Sequence, residues 1–232
     1  MHIPSVITID GPAGAGKSTL GQRLALRLGY LFFDTGVLYR ALTWAALRDQ
    51  LDLYDHEALT QLAERLDIKI QAPGATPQDG RQYTVIVENQ DITWQLRQPD
   101  VEANVSVVSR HPMVRSVMRA RQRTIGQRGH VVMVGRDIGS IVMPDADFKI
   151  YLLASLEERT QRRVAELHGR GRPADYPRIR EEIAQRDALD QHVMAPAPDA
   201  LMISSDGHTP DEVVELVVQK FQGSRSASCV DK

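Results

Sequence analysis

A strand, a glycine-rich loop and a helix follow one another at the start of the chain, and this order narrows the possible folds sharply. Residues 6–9 are a β-branched run typical of a buried strand. Leucines recur every four residues from Leu20 to Leu28, as expected for a helix. Between these segments, residues 11–18 match the pattern G-x-x-x-x-G-K-[ST]. In this position the pattern predicts a loop that binds phosphate groups with its backbone N–H groups.

The residue types of this loop suit a nucleoside triphosphate. Glycine permits sharp turns and close approach of the backbone, and the following helix directs unpaired N–H groups and its positive dipole end at the same anion. Lys17 can reach the terminal phosphates, and the Ser18 hydroxyl can bind Mg²⁺. A glycine-rich turn with a chance lysine is the alternative, which the flanking strand and helix disfavour. The predicted nucleotide-binding residues are Gly11, Pro12, Ala13, Gly14, Ala15, Gly16, Lys17, Ser18 and Thr19.

Length, charge and cysteine content limit the class of protein. A chain of 232 residues is long enough for one sizeable core, and a net charge of -2 argues against a general binder of nucleic acid or membrane surfaces. A single cysteine, Cys229, excludes a disulfide framework or a zinc cluster. The sequence starts without a signal segment and contains no apolar run of the roughly 20 residues that span a bilayer. We therefore expect a cytoplasmic protein.

Five strand–helix units are predicted, with strands near residues 6, 31, 131, 148 and 201. Such alternation indicates an α/β fold with a doubly wound, five-stranded parallel sheet. The apolar period changes to two within residues 67–98, which predicts a small antiparallel β insert. We assign residues 1–222 to one domain and expect residues 223–232 to be disordered.

Charged residues at the ends of predicted strands indicate further anion sites. Thr35 and Arg40 lie at the start of a helix that follows the second strand, although an ordinary helix cap with a surface arginine would look the same. Arg136 and Asp137 follow the strand at residues 131–134, where they could bind a ligand or pair with each other.

The helix after residue 155 is predicted to begin with a capping box, Ser155 to Glu158, and a second capping box is predicted from Thr209 to Glu212. On the helix after residue 155, Arg159, Arg162 and Arg163 are predicted to lie together on the side opposite the inward-facing residues. A basic, glycine-rich exit follows this helix. It suits a loop that covers phosphate, but an ordinary solvated helix end would have the same composition.

The arrangement of motifs excludes some nucleotide-binding classes. The N-K-x-D motif of guanine-specific switches is absent, and the strand at residues 131–134 ends without the acidic residue of motor and transporter ATPases. Arginines stand instead at several separate strand and helix ends, as two phosphate-bearing substrates would require.

Four motifs, taken in order, carry a resemblance to a known family. They are Thr8-Ile9-Asp10-Gly11-Pro12 with Gly14-Ala15-Gly16-Lys17-Ser18, Asp34-Thr35-Gly36 with Tyr39-Arg40, Gly135-Arg136-Asp137-Ile138-Gly139, and Arg186-Asp187 with Asp190. In this combination the chain resembles the bacterial cytidylate kinases over residues 5 to 221. The resemblance implies transfer of the γ-phosphoryl group of MgATP to CMP or dCMP by a monomer, and the insert at residues 67–98 then resembles the monophosphate-binding region.

The resemblance also implies residue roles. Ser106, Arg115 and Asp137 would bind cytosine, Arg40 and Arg136 the acceptor phosphate, and Arg186 and Asp190 the ribose. A lid over ATP would span residues 159–176 and include Arg172. The implied CMP-binding set is Thr35, Arg40, Ser106, Arg115, Arg136, Asp137, Arg186 and Asp190. The implied catalytic set is Lys17, Arg159, Arg162 and Arg163.

Two positions depart from the family pattern. Val134 stands where the family has an acidic residue near Mg²⁺, so Ser18 is expected to bind the ion with Asp10 or Asp34 acting through water. The arginine expected shortly after Asp190 is missing, and His192 is expected to replace it only in part. Two alternatives stay open: a kinase of another small acceptor such as UMP, and a regulator that binds ATP without catalysis.

Overall fold

The computed structural model describes residues 4–71, 73, 79–169, 171–191 and 194–223. Two sequence predictions therefore fall wholly or largely outside the described residues. They concern the tail at residues 223–232, which contains Cys229, and the replacement by His192. Over the part of the chain that is described, no helix is long and apolar enough to cross a membrane.

The described residues form eight strands, eight α-helices and two shorter helical segments, at Gln95–Arg97 and Ile138–Val142. The strands are β1 (Val6–Asp10), β2 (Leu31–Asp34), β3 (Ile68–Gln71), β4 (Thr84–Val87), β5 (Gln90–Asp91), β6 (Val131–Val134), β7 (Phe148–Leu153) and β8 (Leu201–Ser204). The helices are α1 (Lys17–Leu28), α2 (Gly36–Arg48), α3 (His56–Arg65), α4 (Pro99–Ser109), α5 (Pro112–Gly126), α6 (Leu156–Gly169), α7 (Tyr176–Asp190) and α8 (Pro210–Gly223).

The main sheet has five strands in the order β2-β6-β1-β7-β8. Strand β1 pairs in parallel with β6, where Val6 faces Val131, and with β7, where Ile7 faces Phe148. Strand β8 continues the parallel pairing beside β7. Strand β6 is buried throughout, as its continuous run of apolar residues requires in a sheet covered on both faces. The predicted five-stranded parallel sheet flanked by helices is confirmed.

The chain separates into two compact units. The first unit contains residues 1–30 and 130–232, and the second contains residues 31–129. In the first unit, α1 packs on β1 and β6 and contacts α8, and α6 packs against α7. In the second unit, α2 packs on α4 and α3 packs on α5.

The period-two segment of the second unit forms the predicted antiparallel sheet. Strand β3 pairs with β4, where Ile68 faces Val87, and β4 pairs with β5, where Val87 faces Gln90. Val85 and Val87 are fully buried while the residues between and beside them are partly exposed. This alternation explains why the sequence pattern identified the sheet.

The two predicted capping boxes have different outcomes. At α8 the box is complete, because Thr209 Oγ1 accepts from the backbone of Glu212 and the Glu212 carboxylate accepts from the Thr209 backbone. At α6 only half of the box forms. Ser155 Oγ accepts from the Glu158 backbone, but the Ser155 backbone donates to Asp206 and the Glu158 carboxylate pairs with Arg162. The full box predicted there was wrong, since tertiary partners take both groups.

Candidate functional site

The loop between β1 and α1 takes a backbone path that requires glycine. Gly11 has φ 141°, and a Cβ on it would lie 2.1 Å from the Leu152 carbonyl oxygen of β7. Gly14 and Gly16 also have positive φ, at 78° and 92°. Because side chains rarely adopt these angles, the glycines predicted from the motif are needed for the shape of the loop.

Helix α1 begins at the lysine of the motif. Lys17 is buried, and its Nζ donates to the Pro12 carbonyl oxygen at 2.6 Å across the loop. Ser18 and Thr19 are exposed on the first turn of the helix. The Lys17 ammonium group therefore lies at the loop. The first turn of α1 exposes two hydroxyl-bearing residues, Ser18 and Thr19, to solvent.

The arginines of α6 do not share one exposed face, so that part of the sequence prediction was wrong. Arg159 is only 5% exposed, with Nη1 2.7 Å from Asp187 Oδ2 and 3.1 Å from the Ala13 carbonyl oxygen. Arg163 is exposed and lies 2.7 Å from Glu166. Buried Arg159 contacts α7 and the phosphate loop, which the spacing along α6 alone could not reveal.

Arg162 also contacts the phosphate loop. Its Nη1 lies 3.4 Å from the Ala15 carbonyl oxygen, and its Nε lies 3.0 Å from Glu158. Two arginines of α6 thus donate to two carbonyl groups of one loop, Ala13 and Ala15.

Two of the predicted acceptor-site residues form an ion pair in the first unit. Arg136 Nε lies 3.0 Å from Asp190 Oδ2, so Arg136 pairs with α7. Asp137 beside it is buried, at 6% exposure. Arg186 and Arg172 are exposed. The structure therefore brings together residues that lie 54 positions apart in the sequence.

The remaining predicted residues lie in the second unit. Asp34, rather than Thr35, accepts the backbone N–H of Gly36 at the start of α2, at 3.0 Å. Thr35 is buried, and Arg40 lies 3.2 Å from Glu102 of α4.

Two more second-unit residues come from the helices that follow the insert. Ser106 is exposed on α4, and the Arg115 guanidinium on α5 stacks over the Tyr39 ring at 5.9 Å. The second unit also has a cavity of about 400 Å³ lined by Arg81, Asp91, Trp94, Gln95 and Gln98, which includes none of the predicted residues.

A buried carboxylate holds the turn that follows β6. Asp10, at the end of β1, accepts the backbone N–H groups of Ile138 at 2.9 Å and Gly139 at 2.7 Å. Burial raises the pKa of Asp10 from 3.8 to about 6, against the lowering effect of these two hydrogen bonds. This role could not be predicted from the sequence, because nothing local links Asp10 to Ile138, 128 residues away.

The residues at the loop fit a magnesium–nucleotide complex. Mg²⁺ keeps several waters and needs few protein ligands beyond substrate phosphates, so one exposed hydroxyl such as that of Ser18 is sufficient. Both oxygens of Asp10 already accept backbone N–H groups, and Asp34 Oδ1 accepts one as well. Asp10 has remaining lone pairs that could accept a hydrogen bond from a water on the ion, whereas Asp34 belongs to the second unit.

Comparison with known proteins identifies the family to which this chain belongs. The sequence model of the cytidylate kinase family matches residues 7–223. The chain belongs to the cytidylate kinase family. It is 62% identical over 221 residues to the cytidylate kinase of Roseiflexus castenholzii, covering 95% of each chain. It is 54% identical to that of Chloroflexus aggregans, covering 98% of each, and 50% identical to that of Herpetosiphon aurantiacus, covering 94% of each.

The backbone of Gly11 gives a first test. Gly11→Ala places a Cβ against the Leu152 carbonyl at an angle that side chains rarely adopt, so the loop must shift. We expect the affinity for a non-hydrolysable ATP analogue with Mg²⁺, measured by calorimetry, to fall at least about tenfold. Gly29→Ala is the control, because its φ is also positive but no atom lies within 4 Å of the added Cβ. Equal affinities of the two variants would contradict the prediction.

The raised pKa of Asp10 gives a second test. Between pH 3.8 and about 6 the folded protein keeps a proton that the unfolded chain loses, so the stability from this group is lost as pH rises. Asp10→Asn removes this titration. In Mg²⁺-free urea unfolding, the free-energy difference between the parent protein and the variant should change by about 2 kcal/mol from pH 4 to pH 7. A difference that stays constant with pH would show that Asp10 has an ordinary pKa.

Proposed function

We propose that this protein transfers the γ-phosphoryl group of MgATP to CMP or dCMP, giving CDP or dCDP and ADP. The glycine-dependent loop with Lys17 at its edge carries the proposal, because a backbone of this shape suits a polyphosphate. Membership of the cytidylate kinase family supports the choice of acceptor.

The reaction needs positioning and charge neutralisation rather than a general base. The attacking atom is already a phosphate oxygen, and charge spreads over the transferring group in the transition state. The proposed catalytic cations are Lys17, Arg159, Arg162 and Arg163, and Arg172 joins the ATP-binding residues. Ser18 would hold Mg²⁺, which would supply positive charge to neutralise the phosphates.

The acceptor is proposed to bind through a second group of side chains. Arg40 and Arg136 would hold its phosphate, Arg186 and Asp190 its ribose, and Ser106, Arg115 and Asp137 its base, with Thr35 at the entrance of α2. A carboxylate accepts the 4-amino group of cytosine, whereas uracil presents an oxygen at that position. Asp137 would therefore reject UMP, since two acceptors would face each other.

The domain assignments belong to the same proposal. We propose one kinase domain over residues 1–222, in which the insert at 67–98 contributes to acceptor binding and residues 159–176 act as a lid. A lid that closes over ATP would exclude water and prevent its hydrolysis. The protein is proposed to act as a monomer in the cytoplasm.

A coupled assay tests the proposal. The purified protein with MgATP is given CMP, dCMP, UMP, AMP or GMP while ADP release is followed. CMP and dCMP should give much the highest kcat/KM. Preference for UMP or a non-nucleotide acceptor would indicate the first alternative, and ATP binding with no acceptor-dependent ADP release would indicate a regulator.

Asp137→Asn tests base recognition separately. The amide can donate as well as accept, so kcat/KM for CMP should fall at least about tenfold while the CMP preference over UMP narrows. Affinity for the ATP analogue should be unchanged. Asp145→Asn, an exposed aspartate eight residues away, is the control and should behave like the parent protein. Loss of ATP affinity in Asp137→Asn alone would argue against a role in base recognition.

A further inference from the structure

Ser205, which belongs to none of the sequence motifs, contacts the phosphate loop from the side of β7 and α6, which we call its outer side. Ser205 directly follows β8 and is buried, at 4% exposure. Its Oγ lies 3.1 Å from the Ala15 carbonyl oxygen and 3.2 Å from the Leu153 carbonyl oxygen. A hydroxyl has one proton, which these two carbonyl groups share. Ser205 thereby connects the loop to the end of β7.

Arg162 completes this contact from α6. Its Nη1 donates to Ser205 Oγ at 3.0 Å and to the Ala15 carbonyl oxygen, and its Nη2 donates to the Ser205 carbonyl oxygen at 2.8 Å. Nε and Nη2 both lie 3.0 Å from Glu158 Oε1. Donors on every nitrogen of the guanidinium group are therefore directed at protein oxygens. These bonds hold the loop and leave no Arg162 nitrogen without a protein oxygen, so the positioning role argued here replaces the catalytic role proposed for Arg162 above.

The Ala15 carbonyl determines where the next backbone N–H points. In a trans peptide the C=O of one residue and the N–H of the next point in opposite directions. Holding the Ala15 oxygen on the outer side therefore directs the Gly16 N–H toward the inner side. Arg162 also lies close to this peptide, since a Cβ on Gly16 would lie 3.6 Å from Arg162 Nη1.

We propose that Ser205 and Arg162 are positioning residues that orient the Ala15–Gly16 peptide so that the Gly16 N–H faces the ATP phosphates. The inference rests on the proposed ATP-binding role of the loop. An N–H that is oriented before the ligand arrives costs no reorganisation on binding, so its hydrogen bond contributes fully to affinity. Loss of either residue should therefore weaken binding of ATP and leave binding of the acceptor unchanged.

Ser205→Ala is the direct test, with Ser204→Ala as the matched control. Ser204 is the neighbouring residue and is exposed, and among the described contacts its Oγ accepts only the backbone N–H of Asp206. Ser205→Ala should weaken binding of a non-hydrolysable ATP analogue with Mg²⁺ about threefold to tenfold, the effect of one hydrogen bond. KM for ATP should rise by a similar factor, while KM for CMP stays unchanged. Ser204→Ala should match the parent protein in all three measurements.

A spectroscopic measurement separates positioning from general destabilisation. In protein labelled with ¹⁵N-glycine, the Gly16 amide signal should shift in Ser205→Ala even before nucleotide is added, and its response to the ATP analogue should shrink. A merely structural role would lower the free energy of unfolding without changing ATP affinity per folded molecule. That result would overturn the proposal.

Arg162→Lys provides a second variant that keeps the positive charge. A single ammonium group cannot replace the fork that reaches Ser205, Ala15 and Glu158 together, so ATP affinity should fall as in Ser205→Ala. A loss in Arg162→Lys with full affinity in Ser205→Ala would overturn the proposal and indicate direct phosphate binding by Arg162. If the parent protein binds the ATP analogue but does not phosphorylate CMP, the proposed acceptor is wrong, and these binding comparisons still decide the role of the pair.

Discussion

The parallel pairing of β1 with a strand on each side underlies the rest of the first unit. Ile7 and Ile9 are fully buried, and the register places β6 and β7 along the full length of β1. Because parallel strands end at the same edge of a sheet, the loops that follow β1, β6 and β7 meet there. The glycine loop, the Arg136–Asp137 turn and the start of α6 lie together for this reason.

Hydrogen bonds to backbone carbonyl groups then shape the phosphate loop from its outer side. Lys17 donates to Pro12, Arg159 to Ala13, and Arg162 to Ala15. The Pro12 and Ala15 carbonyl groups accept a second hydrogen bond each, from the Ala15 backbone and from Ser205 Oγ. Three cationic side chains thus stabilise the backbone of the phosphate loop.

Carboxylates stabilise the same region of the first unit, near the edge where the parallel strands end. Asp10 binds the turn after β6 through two backbone N–H groups, and Asp187 and Asp190 of α7 pair with Arg159 and Arg136. A buried arginine needs such a partner, because removing a charge from water without compensation is costly. Helix α7 therefore connects α6 and the turn after β6 through two ion pairs.

Local sequence determined the elements of this protein and the identity of the loop. The apolar periods located the five parallel strands and the antiparallel sheet, and the glycine pattern identified a backbone that only glycine can adopt. These features depend on neighbouring residues, so a single sequence contains them. Tertiary structure decided the burial of Arg159, the incomplete capping box at Ser155 and the partners of Asp10 and Ser205. Each of these depends on contacts between residues far apart in the chain, which become neighbours only when the strands pair.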